Sequence, residues 1–169
     1  MRQLEIKKII DLLESLIKNP KKGLPEEIFL FVSRITPLIN VDLLIKNKKG
    51  QTLLVWRDDK YYAPSWHIPG GIIRYKEKAE KRIMAVAKNE LNAKVIFDKE
   101  PLAINEIICK KRDRGHFISL LYKCRLITQP DERLKYKGGL PKHGQWAWHN
   151  KCPDNIISVH NIYKKFINC

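Results

Sequence analysis

The residues whose types and spacing could do chemistry concentrate in one stretch, His67–Ala93, with the sequence HIPGGIIRYKEKAEKRIMAVAKNELNA. Pro69-Gly70-Gly71 follows a strand-like run, and two successive glycines permit a sharp turn whose backbone can approach a ligand closely. Glu77 comes six residues after Gly71, at the start of a helical pattern. A carboxylate there either braces the turn through a hydrogen bond or rests on the positive end of the helix dipole. Further along the same helix Val86, Asn89 and Glu90 are offset by three and four residues and share one face. His67, which opens this stretch, and His116, outside it, read as strand residues rather than catalysts. Arg112 and Arg114 fall in a loop, where they are solvated charge or steer a phosphate.

The stretch resembles the box of the Nudix hydrolase family: Gly, five residues, Glu, seven residues, then Arg-Glu-apolar-x-Glu-Glu-x-Gly-apolar. Gly71, Glu77, Glu90 and the apolar places Ala87 and Ala93 match. The arginine place is Ala85, two of the three helical glutamate places are Val86 and Asn89, and the final glycine is Asn92. A full box lines one helical face with carboxylates that hold several Mg²⁺ ions, hard cations that want oxygen ligands. With Glu90 left on that face, the resemblance implies one Mg²⁺ per site, held by Glu90 with Glu77 in support and partly by the ligand's own phosphates.

A box thinned in this way is similar to that of the GDP-mannose mannosyl hydrolases. The similarity extends over about residues 36–167 and takes in Thr36-Pro37-Leu38 through Asp42, a hairpin ending in Arg57, Trp66 before Pro-Gly-Gly, and Asp154-Asn155 opening the last helix. It implies a nucleoside diphosphate sugar as substrate and water displacing the diphosphate at the anomeric carbon with inversion. Arg57 would contact the diphosphate, Asp42 would lie near the nucleotide, and the Gly70-Gly71 backbone would border the ligand. His143 would be the general base, since an imidazole titrating near about 6.5 suits that task. The relatives' arginine after Gly-Gly is Ile72 here, with Arg74 two residues later as a substitute charge, and a glutamine metal ligand is Lys142. A homodimer is also implied. The alternatives are a Nudix pyrophosphohydrolase attacking phosphorus, and a nucleotide- or RNA-binding protein that has lost catalysis.

The elements that must position these residues follow from period. Residues 3–18 place Leu4, Ile9, Leu12, Leu13, Leu16 and Ile17 at helical spacing, and a short helix near 25–33 follows. From Pro37 the period becomes two: Ile39, Val41, Leu43 and Ile45 read as a half-buried strand. After an Asn47–Gly50 turn, Thr52–Arg57 reads as the returning strand. A helix over 78–91, strands near 94–97, 101–109 and 116–127, a long loop over 128–145, a strand at Trp146–Trp148 and a final helix over 155–167 capped by Asp154 complete the order. The order reads as a mixed α/β sandwich of sheet and helices, and the resemblance implies an α/β Nudix fold, a mixed β-sheet sandwiched between helices, with an extra N-terminal amphipathic helix. The expected division is a helical extension, residues 1–35, and a Nudix domain, residues 36–169.

Bulk numbers agree with a globular domain: 169 residues, 44% hydrophobic and 30% charged. No apolar run reaches bilayer length and the first residues mix charge with leucine, so the expected place is the cytoplasm, without membrane association. Four cysteines at 109, 124, 152 and 169 have no zinc-site spacing and read as incidental thiols. The net charge of +15, from 33 Lys and Arg against 18 Asp and Glu, attracts polyanions in general and selects no one partner; nucleic acid stays open on charge alone. Trp56, Trp66, Trp146 and Trp148 read as mostly core, with Trp66 near enough to the glycine turn to stack on a base.

Overall fold

Strand β1 (Leu38–Ile45) carries the alternation expected of it, but it is covered on both faces. Val41, Leu43 and Ile45 are fully buried on one side, while Asp42 and Leu44 are buried on the other. The half-buried reading fails because both faces of β1 are covered: one packs with the long helix and with Leu53 and Val55, the other with Leu54, Trp56 and the C-terminal segment. The structure is a computed structural model and describes residues 2–59, 62–110 and 114–168.

Strand β2 (Thr52–Asp59) does not return alongside β1. Beyond the isolated bridge Lys46–Thr52 at the turn, the two strands enter different sheets. Both strands are almost continuously apolar, and such runs suit a strand covered on two faces better than one side of a hairpin. β2 pairs antiparallel with β3 (Tyr62–His67) and with β8 (Trp146–His149). In the other sheet β1 lies between β4 (Gly70–Ile72), antiparallel, and β7 (His116–Leu126), parallel. β5 (Val95–Phe97) and β6 (Ala103–Ile108) both pair antiparallel along the far edge of β7. The expected mixed α/β sandwich is therefore present, with two sheets among the described residues where the sequence suggested one.

Two apolar clusters hold these layers. The first joins Val41, Leu43, Ile45, Leu53 and Val55 to Ile83, Val86, Ala87 and Leu91 of a long helix. The second joins Leu44, Leu54, Trp56, Trp66 and Ile68 to Ile156, Ile157 and Tyr163 from the end of the chain. Trp66 is thus core, edge-on to Trp56 at 5.2 Å and to His149 at 4.6 Å, and is not placed to stack on a base.

At the N-terminus α1 (Arg2–Ser15) contains no buried residue, while α2 (Glu26–Ile35) buries Ile28 and Ser33. The box helix is α3 (Ala79–Leu91). The final helix is shorter than expected and differently capped. Residues 155–157 run along β3, with Trp66 N donating to Asn155 O and Ile157 N to Trp66 O. Backbone committed to that bridge cannot be helical, so Asp154 caps nothing. Helix begins at a 3₁₀ stretch, Ser158–Tyr163, and ends as α4 (Lys164–Ile167). Among the described residues no helix is long and apolar enough to cross a membrane. Cys109, Cys124 and Cys152 are free thiols, and burial pushes the Cys124 thiol up to about 12.

Removing residues 1–18 should leave the unfolding free energy within about 0.5 kcal/mol in urea titrations, because α1 buries nothing. Leu53→Ala, at a fully buried position, should cost about 2–5 kcal/mol in the same measurement.

Candidate active site

The site begins where β4 is squeezed between β1 and α3. A Cβ on Gly70 would strike the Asp42 side chain and lie 3.0 Å from Val41 O; one on Gly71 would lie 2.8 Å from Val86 Cγ2. Glycine is needed at both places for close approach, not for left-handed backbone. That approach lets the Gly70 amide donate to Glu90 Oε1 at 3.1 Å. Helix α3 ends on Asn92 in the left-handed region, φ 50, with its amide donating to Lys88 O and Ala93 N to Ala87 O. Asparagine tolerates that conformation better than most residues, which explains how it occupies the box's last glycine place.

Gly70, which donates to Glu90, lines a cleft of about 110 Å³ together with Asp42, Arg57, Tyr62, His67 and His160; Glu90 itself lies behind Gly70 and His67 and is not part of the lining. The cleft volume is below the roughly 300–1,000 Å³ of pockets that enclose a whole drug-sized ligand. The cleft therefore has room for a small group and not for a whole ligand of that size. Burial pushes the Glu90 carboxyl up to about 8, opposed by the Gly70 amide and Arg57. Arg57 is held by Asp59 and stacks over Tyr62, with its guanidinium carbon 4.8 Å from the ring centre.

Asp42 lines the cleft but is 2% exposed, and its oxygens are already engaged. Asn40 Nδ2 donates to Oδ1 at 3.0 Å; the Ser119 hydroxyl and Tyr163 OH donate to Oδ2. Burial raises its carboxyl above the usual range, with those three donors opposing. Asp42 is therefore a braced floor under Gly70, with both oxygens already accepting hydrogen bonds.

Glu77 resolves toward the brace. Its Oε2 accepts the Arg74 amide at 2.9 Å and both Nε (2.8 Å) and Nη2 (2.7 Å) of Arg82. These charge-assisted bonds hold its carboxyl below the usual range despite the cost of burial. With three donors on Oε2, Glu77 is a brace within the loop. The guanidinium that pairs with it comes from Arg82, three residues before the box's arginine place at Ala85. Arg74 also leaves the site: it lines a separate apolar cavity beside Pro20 and Phe29, and Nη1 donates to Lys21 O at 3.4 Å. It does not stand in for the missing charge at Ile72.

His143 is exposed and is not part of the cleft lining; it is tied to β2 by Gly144 N donating to Trp56 O and by the Asp58 amide donating to its Nδ1 at 3.2 Å. A neutral imidazole that accepts at Nδ1 carries its proton on Nε2. In this arrangement the ring presents a donor, and it acts as a base only after releasing Asp58.

Residues that sequence reasoning passed over form much of the cleft. His67, read as a strand residue, and His160 line it; Ile68 N donates to His160 Nδ1 at 3.1 Å. Nothing in local spacing points to His160, which arrives from the chain's last turn of 3₁₀ helix. Arg114 also lines the cleft, above Phe29 at 4.9 Å; Arg112 lies outside the described residues. His116 sits apart, with Nε2 3.1 Å from Glu106. Among the described residues no group of three or more His, Cys, Asp or Glu side chains could hold a metal ion. A cation here must take part of its shell from a ligand, which fits Glu90 as one carboxylate toward one Mg²⁺.

No family model matches the sequence. Solved structures do resemble the chain. A MutT Nudix hydrolase from Burkholderia pseudomallei superposes with a TM-score of 0.61 at 18% identity, covering 77% of this chain and 97% of that one. A Nudix hydrolase from Nitrosomonas europaea gives 0.58 at 16% identity, covering 78% and 70%. An ADP-ribose pyrophosphatase from Streptococcus suis gives 0.52 at 16% identity, covering 79% and 90%. At such identities the shared property is the fold: the chain has the Nudix hydrolase fold.

Two measurements test this packing. Gly70→Ala should destabilise by about 1–3 kcal/mol in denaturant, and more than Gly71→Ala, because its new methyl meets a buried carboxylate and backbone. Burial, aided by neighbouring positive charge, holds His67 and His160 down to about 3. Unfolded histidines protonate near about 6.5, so the unfolded chain binds more protons between those values. Stability present above that window should fall as pH drops through it, and His160→Gln should reduce the slope by about one proton.

Proposed function

We propose that the chain is a hydrolase of a nucleoside diphosphate sugar, working with one divalent cation. The observation that carries this reading is Gly70, which holds Glu90 through its amide at 3.1 Å and lines a small cleft together with Arg57. A cleft of that size bordered by a guanidinium and close backbone suits a diphosphate, with base and sugar extending outward. The name ADP-ribose pyrophosphatase, borne by the Streptococcus suis relative in fold, supports a nucleoside diphosphate derivative as the substrate class.

Glu90 and the diphosphate oxygens would hold Mg²⁺, which supplies charge neutralisation for the departing diphosphate. The chain's own residues do the rest. Arg57, oriented by Asp59 and Tyr62, offsets charge that develops on the leaving group. The Gly70-Gly71 backbone fixes the ligand's distance from the helix. Val86 and Asn89 bring no carboxylate to the face, which favours attack of water at the anomeric carbon over attack at phosphorus. His143 would take the proton from water on Nδ1, with the Asp58 amide released. A homodimer belongs to the same reading; the exposed Leu4, Ile9, Leu12 and Leu16 of α1 and its continuation offer it apolar surface.

Hydrolysis of GDP-mannose and related nucleotide sugars in ¹⁸O water tests the reading. The expected result is label in the free sugar, with loss of roughly a hundredfold or more in Glu90→Gln and Arg57→Gln. Label in a monophosphate product would move the reaction to phosphorus. No turnover across the panel, with nucleotide binding independent of Mg²⁺, would make the chain a binding protein.

A further inference from the structure

His67 Nε2 and Glu90 Oε2 face each other at 3.7 Å, and proton accounting shows what the ring offers. His67 Nδ1 lies 2.8 Å from Ile68 O. A carbonyl oxygen only accepts, so Nδ1 carries the proton and the lone pair is on Nε2. The same accounting removes the other two histidines near the cleft. The Ile68 amide occupies the Nδ1 lone pair of His160 and the Asp58 amide that of His143, so each keeps its proton on Nε2. On the acid side Oε1 takes the Gly70 amide and Oε2 is the oxygen turned to the ring.

At 3.7 Å the Nε2 lone pair and the acid oxygen are too far apart for a good hydrogen bond with each other. One cation holding each atom at about 2.0–2.2 Å spans that distance. Both donors are braced as ligands usually are: the ring by its Nδ1–H on a backbone carbonyl, the acid by a backbone amide.

We propose that His67 Nε2 and Glu90 Oε2 form a mixed nitrogen–oxygen site for a borderline divalent ion, Mn²⁺, Co²⁺ or Zn²⁺, in preference to Mg²⁺. This rests on the reading of Glu90 as a cation ligand and changes the ion. Imidazole suits first-row transition ions, whereas Mg²⁺ demands oxygen in near-octahedral geometry. The substrate's diphosphate and water complete the shell.

The test is made on the full-length chain with metal ions alone. Pulsed EPR of the Mn²⁺-loaded protein should show modulation from a coordinated ¹⁴N nucleus, which changes to a ¹⁵N pattern when histidine is ¹⁵N-labelled. In calorimetric titrations Mn²⁺ should bind at least about tenfold tighter than Mg²⁺, and His67→Gln should cost roughly 10–100-fold for Mn²⁺ with little change for Mg²⁺. Mn²⁺ bound without histidine nitrogen, or equal losses for both ions in His67→Gln, overturns the nitrogen ligand. Binding of both ions that still fails in Glu90→Gln would then leave the reading of Glu90 intact. Failure of the wild-type chain to bind either ion sinks both. Should His67→Gln not fold, the labelled wild-type spectrum decides alone.

Discussion

The site depends on how closely strand β4 can lie between β1 and the box helix. Gly70 rests against Asp42, and Gly71 against Val86 and Arg82, at distances that admit no methyl group. The consequence is geometric. With no side chain to hold the layers apart, the last turn of α3 reaches the strand, and Glu90 meets the Gly70 amide. Arg82 and Glu77 close the other end of the turn with a largely buried ion pair. Breaking one partner of such a pair is far costlier than the pair is worth, so both side chains are needed to hold the turn. Everything chemical in the cleft is referred to this wedge.

Beneath it lies polar material that an apolar core would ordinarily exclude. A buried carboxylate is tolerated when donors satisfy it, and Asp42 receives them from three separate elements: Asn40 on β1, Ser119 on β7 and Tyr163 near the C-terminus. His160 adds a fourth link, from the terminal segment to Ile68 just before the glycines. Forming the cleft floor and docking the end of the chain are therefore one event. Residues 155–157 cannot be helical for the same reason, since their backbone closes the sheet beside Trp66.

Much of this was legible in the amino-acid order, and the failures have physical causes. The spacing from Gly71 to Glu77 to Glu90 marked the wedge and its helix, because local geometry ties those positions together. Period two found the strands, but it could not tell a half-buried strand from one covered twice, nor show that β1 and β2 separate into two sheets. That distinction depends on what lies on the other face. Arg74 turns toward Lys21 because β4 ends at Ile72, and beyond the strand its period of two no longer sets the direction of a side chain. His160 and Tyr163 were invisible as site residues: their contribution depends on contacts about ninety and one hundred and twenty residues away in sequence. Asn92 carries the opposite lesson, a departure from the box that keeps the box's backbone.

The missing carboxylates are part of this packing. Val86 is 4% exposed and its methyl groups touch Gly71, so its side chain is core. A glutamate at that place would bury a charge against a strand that has no room for water, and the desolvation cost would fall on the whole wedge. Asn89 is exposed and carries no such constraint, but alone it cannot rebuild a multi-ion face. The helix thus trades a carboxylate for an apolar contact that tightens the layers around Glu90. Positive charge for an anionic ligand then comes from elsewhere: Arg57 on β2 and Arg114 ahead of β7, both lining the cleft. The surface as a whole, at a net +15, favours the approach of such a ligand.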